Sequence, residues 1–289
     1  MNEFGEVILD ASLKEFNTYK LESKVKYLIY PKKEKIPALI KYLKEKNIKY
    51  FVIGDGSNII LANDYYDGVF VSLKKLNHYE IRKNKIVAEC GINLNNLISS
   101  IYKSGYNSFA QLYGIPGSLG GAIVGNAGAN GDEIKNHLIS IKFVDDCGNI
   151  HEKNIDELKF SYRHSSFKEQ NCILLEASLR LENNDEINYN QITKENITKR
   201  IKSQPLNYPS AGSVFKNPAN NSAGFLIDSC GLKGTIIGGA KISEKHANFI
   251  INYHNATFFD IINLITKIKK EVRNKFNVDL ELEQKIVKW

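Results

Sequence analysis

GIPGSLGGAIVGNAGANG, residues 114–131, gathers seven of the chain's 20 glycines into 18 positions. That density is too high for a helix or an ordinary strand interior, so the segment reads as a loop shaped by its backbone. About sixty residues earlier, GDGSN (54–58) follows directly on an apolar strand, YFVI (50–53). Small residues in both places let backbone N–H groups approach a ligand closely, and phosphate is the natural candidate. A Rossmann GxGxxG must open a helix straight after a strand, and a Walker loop must end in GK[ST]; neither pattern is present. Two such loops suggest a dinucleotide clasped from two sides. Either one alone is more commonly a structural turn.

Outward from the loops, helix and strand signals alternate. Ile36, Leu39, Ile40 and Leu43 fall on one helical face, and strands are expected at 69–73 and 85–90. Asn93 is placed to cap a helix whose apolar face is Leu94, Leu97, Ile98 and Ile101. Past the glycine loop, ISIKFVDD and CILLEASLRL (172–181) read as strands returning to the same sheet. The polar stretch ENNDEINYN (182–190) marks a boundary. Beyond it come a helix at 191–203, a short helix at Ala223–Ser229 ended by Gly231, and a strand near NFIIN. A long helix follows, striped by Phe258, Ile261, Ile265, Ile268 and Val272. The tail VDLELEQKIVKW alternates like a strand and is expected to pack back on the first part of the chain.

At 289 residues, with 43% hydrophobic and 25% charged residues, the chain is long enough for two domains and too apolar to be disordered. No apolar run reaches membrane-spanning length, and the N-terminus lacks the pattern of a signal peptide, so a cytoplasmic protein is expected. Cys90, Cys147, Cys172 and Cys230 lie 57, 25 and 58 residues apart, which proposes neither zinc nor a redox dithiol. The net charge of +7 is unevenly placed. Residues 1–189 carry 24 basic and 24 acidic side chains, whereas 190–289 carry 15 and 8. An anionic ligand near the C-terminal third would explain this, and so would the chain's general richness in Ile, Lys and Asn. The basic residues are not set in a recognisable nucleic-acid motif, which counts against a nucleic-acid-binding protein.

GDGSN, GIPGSLGGA followed by NAGANG, YRHS, AGSVFKNP, EKHANFIIN and finally LELE occur in this order. Together they resemble the UDP-N-acetylenolpyruvoylglucosamine reductase family, in its shorter variant, over about Asn17 to Glu283. The resemblance implies an α+β flavoenzyme with a vanillyl-alcohol-oxidase/PCMH-type FAD-binding domain at 1–186. A smaller α+β substrate-binding domain would span 187–275, with the tail 276–289 returning to the active-site region. It implies FAD, with contacts from Gly54, Gly56, Ser57 and Asn58 in the first loop. In the second they would come from Gly114, Pro116, Gly117, Gly120, Gly121, Ala122, Asn126 and Gly128. Neither loop contains His or Cys, so the flavin is expected to be non-covalent. NADPH is the implied co-substrate and UDP-N-acetylglucosamine enolpyruvate the substrate, with no nucleic acid or membrane partner and nothing beyond a monomer required.

By the same resemblance Arg163, Ser213 and Glu283 carry the reaction. Hydride addition to an enol ether pushes charge into the adjacent carboxylate, so the intermediate is enolate-like and needs cationic and hydrogen-bonding support. Arg163 suits that carboxylate. Glu283 would lie against the same edge, as a protonated donor or as an orienting partner, and Ser213 would give the proton to the other carbon. Lys216 and Asn217 suit the substrate's pyrophosphate or carboxylate. Outside these motifs each type has a plainer use: a solvated Arg, an exposed strand Glu, a Ser in a turn. A lone His is more often structural than catalytic, and His246 is left outside the catalytic set. The chain departs from the family's pattern at Glu22 and Ser23, where Gly-Gly is usual, and at Gly125 and Asn130 in the second loop.

Overall fold

The computed structural model describes all 289 residues. Strands β1 (Gly5–Ser12) and β2 (Lys24–Pro31) lead to helix α1 (Ile36–Glu45), then β3 (Tyr50–Ile53), β4 (Ile59–Leu61) and β5 (Tyr65–Ser72). Next come β6 (Tyr79–Arg82), β7 (Lys85–Glu89), α2 (Leu94–Lys103) and α3 (Leu119–Val124). Short pairs β8 (Gly128–Ala129) with β9 (Asp132–Glu133), and β12 (Phe160–Ser161) with β13 (His164–Ser165), flank β10 (Leu138–Val144) and β11 (Ile150–Asn154). After β14 (Ile173–Arg180) follow α4 (Tyr189–Ser203), α5 (Ala223–Ser229), β15 (Ile236–Ile237), β16 (Ala240–Ile242), β17 (Ile250–Asn252), α6 (Phe258–Phe276) and β18 (Lys285–Val287). No helix is long and apolar enough to cross a membrane.

The chain forms two compact units. The first comprises residues 1–11, 25–55 and 67–198; the second comprises 12–24, 56–66 and 199–289. The division therefore falls inside α4, not at the expected 186/187. The first 66 residues also contribute two segments to the second unit. That contribution rests on pairing between distant parts of the chain, which has no local signal.

In the first unit a four-stranded sheet runs β1-β2-β5-β3, with β3 parallel to β5. A five-stranded antiparallel sheet runs β11-β10-β14-β7-β6. The apolar face of α1 closes over Ile29, Val69, Val71 and Val144. Helix α2 begins where the Asn93 side chain accepts from the N–H groups of Asn95 and Asn96, and it buries its stripe among Ile86, Ala88, Leu119 and Ile123.

The glycine loop is not irregular throughout, because residues 119–124 form α3. Ser118 caps it, accepting from Gly121 N–H at 3.2 Å. Leu119 and Gly120 donate to the carbonyls of Ile92 and Cys90 at 2.9 and 2.8 Å. A Cβ on Gly120 would lie 3.0 Å from the Cys90 carbonyl. Close packing of helix on chain, rather than helix propensity, explains the glycine there.

In the second unit β15-β16-β17 form an antiparallel sheet, and β18 lies parallel to β4. Helix α6 starts at a capping box between Thr257 and Asp260 and buries Ile261, Leu264, Ile265, Ile268 and Val272. Ser23, at one of the departures from the family pattern, is buried and donates to the Asn63 carbonyl at 2.7 Å.

Candidate active site

Within the first unit, parts of the two glycine segments meet at Asn93. Its amide nitrogen donates to Asp55 at 3.2 Å and to the Gly117 carbonyl at 3.4 Å. A Cβ on Gly54 would fall 2.6 Å from the Ser118 hydroxyl. Several N–H groups expected to face a phosphate are used by the fold itself. Gly114 donates to the Asn95 side chain at 2.6 Å, Gly120 to Cys90, Gly121 to Ser118, and Ala122 to the Ser118 carbonyl. The Ala122 side chain is buried in the core. What the segment does offer is bare backbone: a Cβ on Gly121 would meet only the Ser118 hydroxyl, at 3.4 Å, and Gly121 is exposed. Such a surface admits a flat or phosphorylated ligand to backbone distance, and the residues fit a flavin dinucleotide on that ground.

Asn126 departs most from expectation. It is fully buried, and its amide nitrogen donates to Glu133 at 3.0 Å and to the Ser161 carbonyl at 2.9 Å. Its own N–H goes to the Ile123 carbonyl, so its donors are spent inside the fold rather than offered to a cofactor. Arg163 sits in the two-residue turn between β12 and β13, at φ 55, and its guanidinium donates to the Gly128 carbonyl at 2.8 Å. A Cβ on Gly128 would stand 3.2 Å from that guanidinium and 2.7 Å from the Asp132 carbonyl, which accounts for the glycine.

Ser213 and Glu283 belong to the second unit and are brought onto neighbouring segments. Glu283 N–H donates to the Val214 carbonyl, and Lys216 N–H to the Glu281 carbonyl, each at 2.9 Å. Both Ser213 and Glu283 are half-buried. Three buried polar side chains hold this pair of segments. Gln284 donates to the carbonyls of Ala211 and Gly212 at 3.0 and 3.2 Å. The Tyr19 hydroxyl donates in turn to Gln284 at 3.1 Å, and burial pushes its pKa up, keeping it a donor. Asn248 brackets Phe215, accepting from its N–H at 3.0 Å and donating to its carbonyl at 2.8 Å. Sequence reasoning did not single out Gln284, Asn248 or Tyr19. Asn248 lay inside a quoted motif, EKHANF, but Gln284 and Tyr19 had no signal beyond their neighbours.

The remaining expected residues are placed as follows. Lys216 pairs with the exposed Glu281 at 2.5 Å. Asn217 accepts from Ala223 N–H at 3.0 Å, at the start of α5. Gly56 lies under the Phe16 carbonyl, 2.0 Å from where a Cβ would be, and the Asn58 amide donates to the Glu283 carbonyl at 3.4 Å. In this unit both residues thus have structural work. His246 accepts from Asn248 N–H at 3.2 Å; burial, and to a lesser degree Lys233, hold its pKa below the usual imidazole value.

Residues 204–287 match the model of the UDP-N-acetylenolpyruvoylglucosamine reductase C-terminal domain. Residues 25–154 match that of an FAD binding domain. A curated UDP-N-acetylenolpyruvoylglucosamine reductase from Caldanaerobacter subterraneus subsp. tengcongensis is 42% identical over 287 residues, 98% of this chain and 94% of that protein. The chain belongs to the UDP-N-acetylenolpyruvoylglucosamine reductase family. A second relative of the same name, from Fusobacterium nucleatum subsp. nucleatum, is 39% identical over 98% of this chain and all of its own length. The crystal structure of UDP-N-acetylenolpyruvylglucosamine reductase from Thermus caldophilus superposes with a TM-score of 0.81 at 28% identity, covering 98% of both chains. The chain is accordingly an FAD-dependent oxidoreductase with the fold of this reductase family. The FAD-domain match spans both glycine segments, and the C-terminal match spans Ser213, Lys216, Asn217 and Glu283.

Proposed function

We propose that this chain reduces UDP-N-acetylglucosamine enolpyruvate to UDP-N-acetylmuramate for peptidoglycan synthesis in the cytoplasm, with NADPH as reductant. The observation that carries the reading is the pairing of the Ser213 segment with the Glu283 segment, through Glu283 N–H to the Val214 carbonyl, with Gln284 tying the two together and Asn248 holding Phe215. Bound non-covalently and reduced by NADPH, FAD would supply the hydride for the terminal carbon of the enol ether. Of the expected set, Gly121 has the most open backbone, its missing Cβ facing only the Ser118 hydroxyl, and it is the residue best suited to let the cofactor approach. Ser213 gives its proton to the carbon bearing the carboxylate. An alcohol is adequate for this because protonating an enolate asks less of the acid than protonating water does. Arg163, already oriented by the Gly128 carbonyl, grips the carboxylate where charge accumulates. Glu283 would assist the same carboxylate, as a protonated donor or as an orienting partner. Lys216 binds the pyrophosphate by exchanging Glu281 for it, a cheap exchange because a pair with so exposed a partner is worth only ~0–1 kcal/mol. The Asn217 amide N–H groups add hydrogen bonds to the substrate.

The test separates the two half-reactions. Ser213→Ala is expected to leave flavin bleaching by NADPH near the normal rate. Anaerobic recovery of flavin absorbance with the enolpyruvyl nucleotide should slow by ~10² to 10⁴-fold. Ser213→Cys should restore part of the loss. Equal slowing of both stages in a folded, fully flavinylated Ser213→Ala variant would remove Ser213 as the proton donor.

A further inference from the structure

We propose that Asn126 is a positioning residue for Arg163 and not a ligand of the cofactor. This rests on the reading that Arg163 grips the substrate carboxylate. Arg163 occupies the third position of a four-residue turn, Ser161 to His164, with a left-handed backbone that glycine or asparagine would adopt more readily. Such a conformation persists only where its surroundings over-determine it. Three hydrogen bonds do so here. The Asn126 amide holds the Ser161 carbonyl at 2.9 Å on one side of the turn. The buried Ser165 hydroxyl donates to the Val124 carbonyl at 2.8 Å on the other. The guanidinium itself rests on the Gly128 carbonyl.

Asn126 is the member that joins the turn to the glycine segment. Its second amide hydrogen goes to Glu133, which also pairs with Lys135 at 2.9 Å. Its side-chain oxygen accepts from Lys135 N–H at 3.4 Å. Asn126 has its own left-handed backbone, at φ 42, and no exposed surface. The amide therefore bridges two hairpins, β8–β9 and β12–β13. The first supplies the carbonyl on which Arg163 rests, and the second supplies Arg163. Loss of the bridge leaves the guanidinium in place chemically but frees its turn to shift, and a displacement of about 1 Å at a reacting group is enough to cost ~10²-fold.

The experiment uses the holoenzyme with Asn126→Asp, which keeps shape and backbone preference while replacing the donor by an acceptor. Asn126→Gly, which suits the backbone and removes the amide, serves as the second variant. Each is made in the wild-type and Arg163→Ala backgrounds. Flavin content and the rate of flavin reduction by NADPH should stay within about twofold of the parent if the amide does not touch the cofactor. In the wild-type background the oxidative half-reaction should slow by ~10 to 100-fold. The dissociation constant of the enolpyruvyl nucleotide, read from its perturbation of oxidised flavin absorbance, should rise. In the Arg163→Ala background the same substitution should add less than about twofold, because a residue that acts through Arg163 has nothing left to position. The same penalty in both backgrounds, or loss of flavin as the main defect, would overturn the proposal. An oxidative half-reaction untouched by Arg163→Ala alone would instead overturn the reading of Arg163 on which it rests. Should Asn126→Asp fail to fold, Asn126→Gly decides by the same comparison, and Glu133→Ala should show a smaller defect that also vanishes without Arg163.

Discussion

Gly121→Val separates the fold's need for glycine from the cofactor's. Gly121 lies in α3, where a Cβ would make only ordinary contact with the Ser118 hydroxyl, 3.4 Å away. Its backbone is helical and not left-handed, so a branched side chain meets no conformational barrier there. Glycine is ~1 kcal/mol worse than alanine in a helix and valine lies between them, so the stability of the FAD-free protein should change by less than about 0.5 kcal/mol. The two methyl groups nevertheless stand on the exposed face where a ligand would reach the backbone. Displacing even one charge-assisted hydrogen bond of the ligand costs ~1.5–3 kcal/mol, which corresponds to a loss in FAD affinity of about 10 to 150-fold. Gly120→Ala is the opposite case. Its Cβ would sit 3.0 Å from the Cys90 carbonyl and 3.1 Å from the Cys90 Cβ. The apoprotein should lose ~1–3 kcal/mol through overpacking. Thermal melting of the apoproteins and fluorescence titration with FAD measure the two effects independently. Wild-type FAD affinity in Gly121→Val, or a folding loss equal to that of Gly120→Ala, would refute this assignment of the helix face.

Gln284→Leu should leave the Ala211 and Gly212 carbonyls and the Tyr19 hydroxyl without partners. At ~1–2 kcal/mol each, the expected loss is about 3–6 kcal/mol by denaturant unfolding, and adding Tyr19→Phe should cost less in that variant than in the wild type. Additive costs would show that the hydroxyl is not part of the network. Asp132 accepts from the His137 ring at 2.6 Å, from Asn136 at 3.0 Å and from Glu133 N–H at 2.8 Å. Burial works against ionisation there, but the hydrogen bonds led by His137 outweigh it and hold the carboxyl below the usual carboxylate range. Its contribution is therefore complete above about pH 4, the unfolded value, and is lost as pH falls through the lower folded value. Asp132→Asn should flatten the decline of melting temperature between pH 7 and 3, and identical slopes in both proteins would exclude Asp132 from acid denaturation.

Features confined to a few neighbouring residues were legible in the chain. The apolar stripes of α1 and α2 and the cap at Asn93 follow from periodicity and side-chain chemistry and appear with the faces expected, while α6 buries Leu264 besides the expected Ile261, Ile265, Ile268 and Val272 and leaves Phe258 half-buried. The ordered motifs were enough to identify the family and its flavin. The glycine loop was only half readable. Its composition argues for a loop by propensity, but contact with the Cys90 segment makes part of it a helix. The family resemblance implied that Asn126 meets the cofactor, whereas its buried amide donates to Glu133 and Ser161.

What the tertiary structure alone decided is the pairing of distant segments. It places residues 12–24 and 56–66 with the C-terminal unit, sets Glu283 beside Val214, and puts Gln284 under the carbonyls before Ser213. Local propensity and periodicity act over one or two turns of chain, so they can specify a helix, a cap or a bare glycine face. Which buried donor meets which buried acceptor across two hundred residues is settled only when the whole core closes, because each such group must then find its partner from whatever the fold has brought within reach.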